Sequence, residues 1–175
     1  MILETERILL RPWNEEDAES VYLYAKDPDI GPPAGWKPHE SVEESREIIR
    51  DILSAEGTFA VVLKETGLPV GSIGIMRNTD HAKGEHTAEI GYWLGKPYWG
   101  RGLIPEAVRE CLRCCFEELS CSEVWCCYYE GNEKSRRVQE KCGFRYHHTL
   151  ENRADSMGIL HTVRVNRITR EEYEG

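Results

Sequence analysis

The segment Gly100-Arg101-Gly102 stands where the pattern of a strand passes into that of a helix, and it offers the chemistry of anion binding. The strand pattern covers Ala88–Gly95, and the helix opens with Pro105-Glu106. Proline suits the first turn of a helix, because its missing N–H breaks no hydrogen bond there. Small residues let the backbone approach an anion closely, and free N–H groups at a helix start supply donors at the positive end of the dipole. The spacing therefore predicts a diphosphate site.

The better-known nucleotide loops do not fit this segment. A Walker loop would end in Gly-Lys followed by Ser or Thr, and a dinucleotide-binding fingerprint would need a third glycine near Pro105. Neither is present. Taken alone, two glycines separated by one residue also fit a tight turn that binds nothing, so this alternative stays open until other segments are considered.

The seven cysteines raise the question of a metal site. Cys111 and Cys115 are four residues apart on the apolar face of a predicted helix, while Cys126 and Cys127 point to opposite faces of a predicted strand. Zinc sites usually use Cys-x-x-Cys pairs on turns, and only Cys111 and Cys114 have that spacing, inside a helix. Buried free cysteine packs as a small hydrophobic residue. We predict no metal, with a zinc-dependent interaction domain as the alternative.

Length and charge limit the classes of function. A chain of 175 residues predicts one domain, 1–175, with one active site. The 22 Lys and Arg against 31 Asp and Glu give a net charge of −9, which argues against nucleic acid as a partner. No stretch approaches the roughly 20 apolar residues of a membrane span, and no signal-peptide core is seen. We expect a cytoplasmic protein with reduced cysteines, either a monomer or a homodimer.

The periodicity of apolar residues predicts the order β-α-α-β-β-β-α-β-α-β-β. The first strand surrounds Ile8 and Leu10, a helix begins at Asn14, and a capping box at Ser41 begins the next. The segment Gly31–Gly35 is expected to be a loop. The remaining elements are strands at Thr58–Lys64, Pro69–Met76 and Thr87–Leu94, a long helix after the glycine loop, a strand at Glu123–Tyr129, a helix at Glu133–Cys142, and strands near Phe144–Leu150 and Met157–Arg167.

Four pieces of the chain, in this order, resemble the GNAT superfamily of N-acetyltransferases, and within it the branch of ribosomal-protein N-terminal alanine acetyltransferases. The pieces are Thr5–Pro12, Ala88–Leu94, Tyr98–Gly102, and Asn132–Arg137 continuing to Glu140–Phe144. The resemblance covers nearly the whole chain. It implies an α/β (α+β) fold with a mixed, mostly antiparallel central sheet of about seven strands, splayed in the middle and flanked by about four helices. It also implies acetyl-CoA as the co-substrate.

The resemblance assigns the cofactor site to residues around the glycine loop. The family motif is commonly Gln/Arg-x-x-Gly-x-Gly/Ala; with its first glycine on Gly102, Trp99 takes the Gln/Arg position and Ile104, bulkier than usual, takes the last. Asn132 corresponds to a residue that hydrogen-bonds the cofactor arm, although it also fits an ordinary helix start. The implied acetyl-CoA contacts are Trp93, Leu94, Trp99, Gly100, Arg101, Gly102, Leu103, Ile104, Asn132 and Ser135.

Transfer to an amine needs a base, because an alkylamine with a pKa near 10 is mostly protonated at neutral pH. Glu89 resembles the glutamate that several GNAT enzymes use, and its alternative role is a charge on a solvated face. Many members protonate the departing thiolate with a tyrosine, but that position is Gln139 here, and an amide cannot act as an acid. Ser135, which the branch shares, becomes the candidate acid, or else a residue of the helix start. Tyr128 and Tyr129 are possible substitutes.

The resemblance places Trp36, in the loop Gly31–His39, and Tyr92 at the acceptor pocket. His39, like His81, is expected to be a solvated loop residue. The predicted function is transfer of an acetyl group to a primary amine, with the N-terminal amine of a ribosomal or other protein as the first candidate. A small amine such as a polyamine or aminoglycoside is one alternative. A non-catalytic module that senses acyl-CoA is another, suggested by Gln139 and Ile104.

Overall fold

One eight-stranded sheet runs through the computed structural model of the protein, which describes residues 1–175. The strand order is β1-β2-β3-β4-β5-β6-β8-β7, and every neighbouring pair is antiparallel except β5–β6. This confirms the mixed, mostly antiparallel sheet. The strands are β1 (Leu3–Glu4), β2 (Ile8–Pro12), β3 (Thr58–Leu63), β4 (Pro69–Met76), β5 (Thr87–Leu94), β6 (Glu123–Tyr129), β7 (Arg145–Ala154) and β8 (Leu160–Thr169). The strand β1 was not predicted, because two residues are too few to show alternation.

The helices follow the predicted order, with two short ones added. Ser41 and Asn14 accept backbone N–H groups at their helix starts, as predicted. No helix is long and apolar enough to span a membrane. The α-helices are α1 (Ala18–Ala25), α2 (Gly31–Ala34), α3 (Val42–Ile48), α4 (Leu103–Arg113), α5 (Glu133–Lys141) and α6 (Arg170–Glu174); wider π turns extend α3 through Ile49–Leu53 and α4 through Cys114–Glu118.

The expectation that residues 31–35 form only a loop was wrong. The segment makes one helical turn, α2, with prolines in its first turn, where their missing N–H groups break no hydrogen bond. Gly35 ends the turn in the left-handed region, at φ 93°. The N–H of Gly35 donates to the carbonyl of Pro32, and that of Trp36 donates to the carbonyl of Gly31. This turn forms one wall of the site described below.

The core lies on both faces of the sheet, and β3 shows how. Phe59, Val61 and Leu63 pack into the larger cluster together with α4, whereas Ala60 and Val62 pack into a second cluster with α1. Successive side chains of a strand point to opposite faces, so a strand covered on both sides is apolar throughout. Helix α4 therefore covers one face and α1 covers the other.

The sheet opens between its two parallel strands. Pairing of β5 with β6 runs only from Thr87–Glu123 to Glu89–Trp125, although the strands continue to Leu94 and Tyr129. The unpaired C-terminal halves of β5 and β6 diverge and form a fork, which confirms the predicted splay.

Beyond the fork, the last two strands end later than their pattern predicted. Most residues of β7 are exposed, and β8 begins with an exposed residue. Alternation of apolar and polar residues therefore marks the ends of these strands poorly. The turn between them is fixed by Asp155, whose Oδ1 accepts the N–H groups of Met157 and Ile159.

Candidate active site

The start of α4 carries unused backbone donors. Gly100 and Gly102 lie in the left-handed region, at φ 77° and 76°, where glycine is favoured. No side chain caps this helix, and the N–H groups of residues 100–102 have no acceptor within the protein. Helix starts with free donors bind anions, because the N–H groups and the helix dipole act together. The loop therefore has the geometry of an anion site.

Arg7, which lies near the N-terminus, holds the loop of residues 100–102 in place. Its Nη1 donates to the carbonyl of Arg101 at 2.9 Å, and its Nε donates to Oε1 of Glu106 at 2.9 Å. Oε2 of Glu106 also accepts the hydroxyl of Thr5 and the backbone N–H of Arg7. Burial opposes ionisation of Glu106, but these hydrogen bonds outweigh it and hold its pKa below the ordinary value. The first turn of α4 is thereby fixed without using the N–H groups of the loop.

A cavity of about 740 Å³ extends from this helix start into the fork of the sheet. It is lined by every residue predicted to contact acetyl-CoA except Arg101, and by Tyr92. Glu89 and Trp36 are not among its lining residues. The cavity thus brings together most of the predicted cofactor residues and leaves the predicted base outside.

One wall of the cavity is cationic, although the chain as a whole is acidic. Lys134, Arg137 and Lys141 all line it from α5. The Nζ of Lys134 lies 3.3 Å from the ring centre of Trp99, within the range of a cation–π interaction. The indole N–H of Trp99 in turn donates to the carbonyl of Leu94 at 2.9 Å. Trp99 therefore links the end of β5 to the cationic side of α5.

Ser135 belongs to a network of polar side chains that extends from the cavity into the protein interior. Its Oγ lies 2.8 Å from the hydroxyl of Tyr92 and accepts the Nε2 of Gln139 at 3.1 Å. Gln139 is fully buried; its Nε2 also donates to the carbonyl of Cys127, and its Oε1 accepts Nδ2 of Asn166 at 2.7 Å. Burial raises the pKa of Tyr92, so its phenol stays protonated. The network fixes the Ser135 hydroxyl at the cavity surface.

Asn132 has the structural role that the sequence left open. Its Oδ1 accepts the N–H of Ser135 at 3.3 Å and so caps α5, and its Nδ2 donates to the carbonyl of Pro33 in α2. The residue also lines the cavity. Asn132 therefore joins the two walls of the cavity.

Glu89 lies at the base of the fork, on the face of the sheet opposite Tyr92. It is half-buried, and the thiol of Cys127 approaches its Oε2 at 3.7 Å. Burial and the carboxylate of Glu89 raise the pKa of Cys127, so its thiol stays protonated. His81 brings an imidazole nitrogen to the same place.

Trp36 packs on the same face as Glu89. Its ring meets those of Trp93 and His39, with centroids 5.9 Å and 5.2 Å away. The expectation that His39 is solvated was wrong: it is buried, its Nδ1 is 2.8 Å from Oγ of Ser45, and burial lowers its pKa. Its backbone N–H donates a hydrogen bond to the carbonyl of Ala25, which fixes the residue against the end of α1.

A histidine that the sequence did not single out forms another wall. His161 stacks on Tyr129 with ring centroids 3.9 Å apart, and its Nε2 is 2.7 Å from Oδ2 of Asp155. Both rings line the cavity. The hydroxyl of Ser156 donates to the carbonyl of Gly35, which ties the β7–β8 turn to α2. No sequence signal could have shown this group, because it depends on where that turn falls.

Comparison with known proteins gives the class of this site. A family model described as an acetyltransferase (GNAT) domain matches residues 7–145. The chain belongs to the GNAT acetyltransferase family. Over 178 residues it is 30% identical to "Uncharacterized N-acetyltransferase p20" of Bacillus licheniformis, covering 99% of this chain and 98% of that protein. Over 88 residues it is 38% identical to "Putative ribosomal N-acetyltransferase YdaF" of Bacillus subtilis, covering 50% and 48%.

A solved structure agrees with this assignment. The crystal structure of a GNAT-family acetyltransferase from Bacillus anthracis matches with a TM-score of 0.84 at 26% identity, covering 98% of this chain and 99% of that one. This GNAT protein is therefore an acyltransferase, and acetyltransferases of the family use acetyl-CoA as the donor.

Besides His161, two further groups in this GNAT site were missed by sequence reasoning. The cations Lys134, Arg137 and Lys141 recur at helical spacing, so a search of α5 for one charged face could have found them. The role of Arg7 could not have been found in this way. It acts across almost a hundred residues of chain, and only the fold shows which carbonyl it meets.

Proposed function

We propose that the chain transfers the acetyl group of acetyl-CoA to the N-terminal amine of a protein. The observation that carries the proposal is the cavity itself, which joins an uncapped helix start, a cationic helix face and the Ser135 hydroxyl within one continuous space. A nucleotide diphosphate attached to a long thioester arm has charges at one end and reactive atoms at the other, and this cavity matches that order.

The diphosphate would bind at the glycine loop. Free N–H groups of Gly100, Arg101 and Gly102 supply uncharged donors, and Lys134 and Arg137 supply charge from α5. The bulky side chain of Ile104 does not block this arrangement, because it is turned into the core and only 6% exposed. Backbone donors of this kind do not depend on the side chains that the family motif usually has.

Ser135 would donate a hydrogen bond to the departing thiolate. Gln139 already donates to its Oγ, and the protonated phenol of Tyr92 can do the same. Two donors to one hydroxyl oxygen leave the Ser135 proton free to point into the cavity. Gln139 thus replaces the tyrosine of other members by orienting the serine rather than by acting as an acid.

Glu89 would accept the proton of the amine from the other face of the sheet. The fork leaves an opening between β5 and β6, so an arm lying in it contacts both faces. Ser135 and Tyr92 are on one side of that opening, and Glu89 is on the other. Because Glu89 does not line the cavity, the proton would reach it through water or after the acceptor enters.

The acceptor class is supported by charge and by a relative. A net charge of −9 favours a cationic partner, and an N-terminal amine in a basic protein is one. YdaF carries a name that points to ribosomal substrates. Trp36 and Trp93 form an aromatic wall on the same face of the sheet as Glu89, and this wall offers an apolar surface for the first side chain of such a substrate.

The test is release of free CoA thiol from acetyl-CoA, measured over basic protein N-terminal peptides, polyamines and aminoglycosides. We expect turnover with peptides, and Glu89→Gln should lower the rate by about a hundredfold while acetyl-CoA affinity stays nearly constant. Glu85→Gln, in the preceding exposed loop, is the matched control. Turnover with small amines alone would refute the protein acceptor. Tight acetyl-CoA binding without any turnover would refute the enzymatic proposal.

A further inference from the structure

Three side chains of different ligand types meet beside the fork of the sheet. His81, Glu89 and Cys127 each offer one ligand atom, and all these atoms lie within 4.8 Å of one another. The three side chains are half-buried, so an ion can reach them from solvent. None of them lines the cavity described above.

We propose that His81, Glu89 and Cys127 bind one Zn²⁺ ion, and that this ion inhibits acetyl transfer by occupying the Glu89 carboxylate. An imidazole, a carboxylate and a thiolate together are typical of zinc, whereas Mg²⁺ and Ca²⁺ take oxygen ligands. Three protein ligands leave the fourth tetrahedral position to water. The inhibitory part rests on the proposed role of Glu89 as the base, and the binding part does not.

The distances suit a tetrahedral ion. Zinc–ligand bonds of about 2.0–2.3 Å place neighbouring ligand atoms about 3.5 Å apart. The Sγ of Cys127 and the Oε2 of Glu89 are 3.7 Å apart, which already matches one edge of the tetrahedron. Glu89 is paired with Trp125, two residues before Cys127, so both ligands stand on paired strands of the sheet. The ligand nitrogen of His81 lies within 4.8 Å of both of these atoms, so a side-chain movement on the order of 1 Å would complete a third corner of the tetrahedron.

The loop that carries His81 is fixed close to the other two ligands. The Oγ1 of Thr79 accepts the N–H groups of His81 and Ala82. Ala82 is fully buried in a cluster with Trp125, which fastens the loop to β6. A second imidazole, of His148, lies nearby, with its ring centre 6.1 Å from that of His81.

The cysteine spacing predicted no metal, because zinc sites usually use paired cysteines on turns. The three ligands here come from a loop and two different strands, and only one is a cysteine. Binding forms a bond from Sγ of Cys127 to zinc, and the proton of the thiol leaves to solvent. The other six cysteines are buried and stay outside the site.

The binding experiment is a zinc titration of the metal-free full chain against a competing chromophoric chelator. We expect one zinc per chain, with affinity reduced at least about tenfold in both Cys127→Ser and His81→Ala. Cys114→Ser is the matched control, because its Sγ is also 3.7 Å from a carboxylate oxygen, of Glu118. Circular dichroism checks that every variant is folded. Absence of zinc binding, or equal affinity in Cys127→Ser, would overturn the proposal.

Cobalt substitution and a rate measurement complete the test. Co²⁺ should give a thiolate-to-metal absorption band in the wild type and in Cys114→Ser, and none in Cys127→Ser. Stoichiometric zinc should abolish acetyl transfer, and a chelator should restore it. Zinc that binds through these residues without lowering the rate would overturn the inhibitory part. Zinc binding is measured without substrates, so its result does not depend on the proposed function. Metal-free protein that transfers no acetyl group would contradict the proposed function and would leave the zinc site unaffected.

Discussion

Arg7 and Glu106 are joined by two hydrogen bonds, one from Nε to Oε1 at 2.9 Å and one from the backbone N–H to Oε2 at 3.1 Å. The same arginine donates to the carbonyl of Arg101, so the segment before β2 holds the loop before α4. The pair leaves the donors of residues 100–102 free and fixes the direction in which they point.

Arg7→Ala should weaken acetyl-CoA binding by about tenfold, because the loop loses one hydrogen bond to a carbonyl and the ion pair that positions α4. Titration calorimetry measures the affinity. Arg46→Ala is the control, since that arginine pairs with Glu43 outside the cavity. Equal affinity in the two variants would show that the loop holds its shape without Arg7.

The lowered pKa of Glu106 predicts that the stability of the fold depends on pH. Its pKa is lower in the folded protein than its ordinary 4.5, so its bonds to Thr5 and Arg7 stabilise the fold above that value and are lost as pH falls through the folded pKa. Glu106→Gln should lower the free energy of unfolding by about 1 kcal/mol at pH 7, since Arg7 is partly exposed. The deficit should shrink towards pH 3. Urea unfolding at both pH values measures it; a deficit that is constant with pH would contradict the prediction.

Two neighbouring cations on α5 should behave differently. Lys134 lines the cavity, whereas Arg136 pairs with Glu133 and Glu140 on the exposed side. Lys134→Ala should weaken acetyl-CoA binding by about tenfold and reduce its sensitivity to salt, because a charged contact to phosphate is lost. Arg136→Ala should leave both unchanged. The same effect in both variants would mean that the helix acts only through its total charge.

Local patterns predicted the fold well and the site only in part. The predicted bounds of β4, β5 and β6 matched the structure, because each of these strands lies inside the sheet with a neighbouring strand on both sides. The glycine loop was visible because its chemistry lies within a few residues. Ser135 could be named, but its link to Asn166 through Gln139 joins α5 to β8, which are far apart in the chain, and carries no sequence signal. Local patterns cannot show contacts that only the fold creates.

Gln139 should be more important for stability than a surface amide. It is fully buried, and its side chain bonds the carbonyl of Cys127, Asn166 and Ser135. Gln139→Leu would leave at least two buried polar partners without a bond, which costs about 3 kcal/mol of unfolding free energy. The rate should also fall, because Ser135 loses a donor that orients it. Gln139→Glu is the comparison that keeps the shape. Chemical unfolding and thiol release measure the two effects, and wild-type stability in Gln139→Leu would contradict the network.

Gly35 should tolerate no side chain, because both its backbone conformation and the space around it exclude one. Its φ of 93° lies in the left-handed region, and an added Cβ would stand 2.5 Å from the hydroxyl of Tyr129. That ring cannot move away easily, since it is stacked on His161. Gly67, at φ 72° with nothing within 4 Å of an added Cβ, shares only the backbone cost. Gly67→Ala should therefore lose about 1 kcal/mol of unfolding free energy, and Gly35→Ala about 2 kcal/mol more. Gly35→Ala should also lower the transfer rate, because Tyr129 and α2 form walls of the cavity. Equal losses of stability in the two variants would mean that Tyr129 yields freely and that this wall is not fixed.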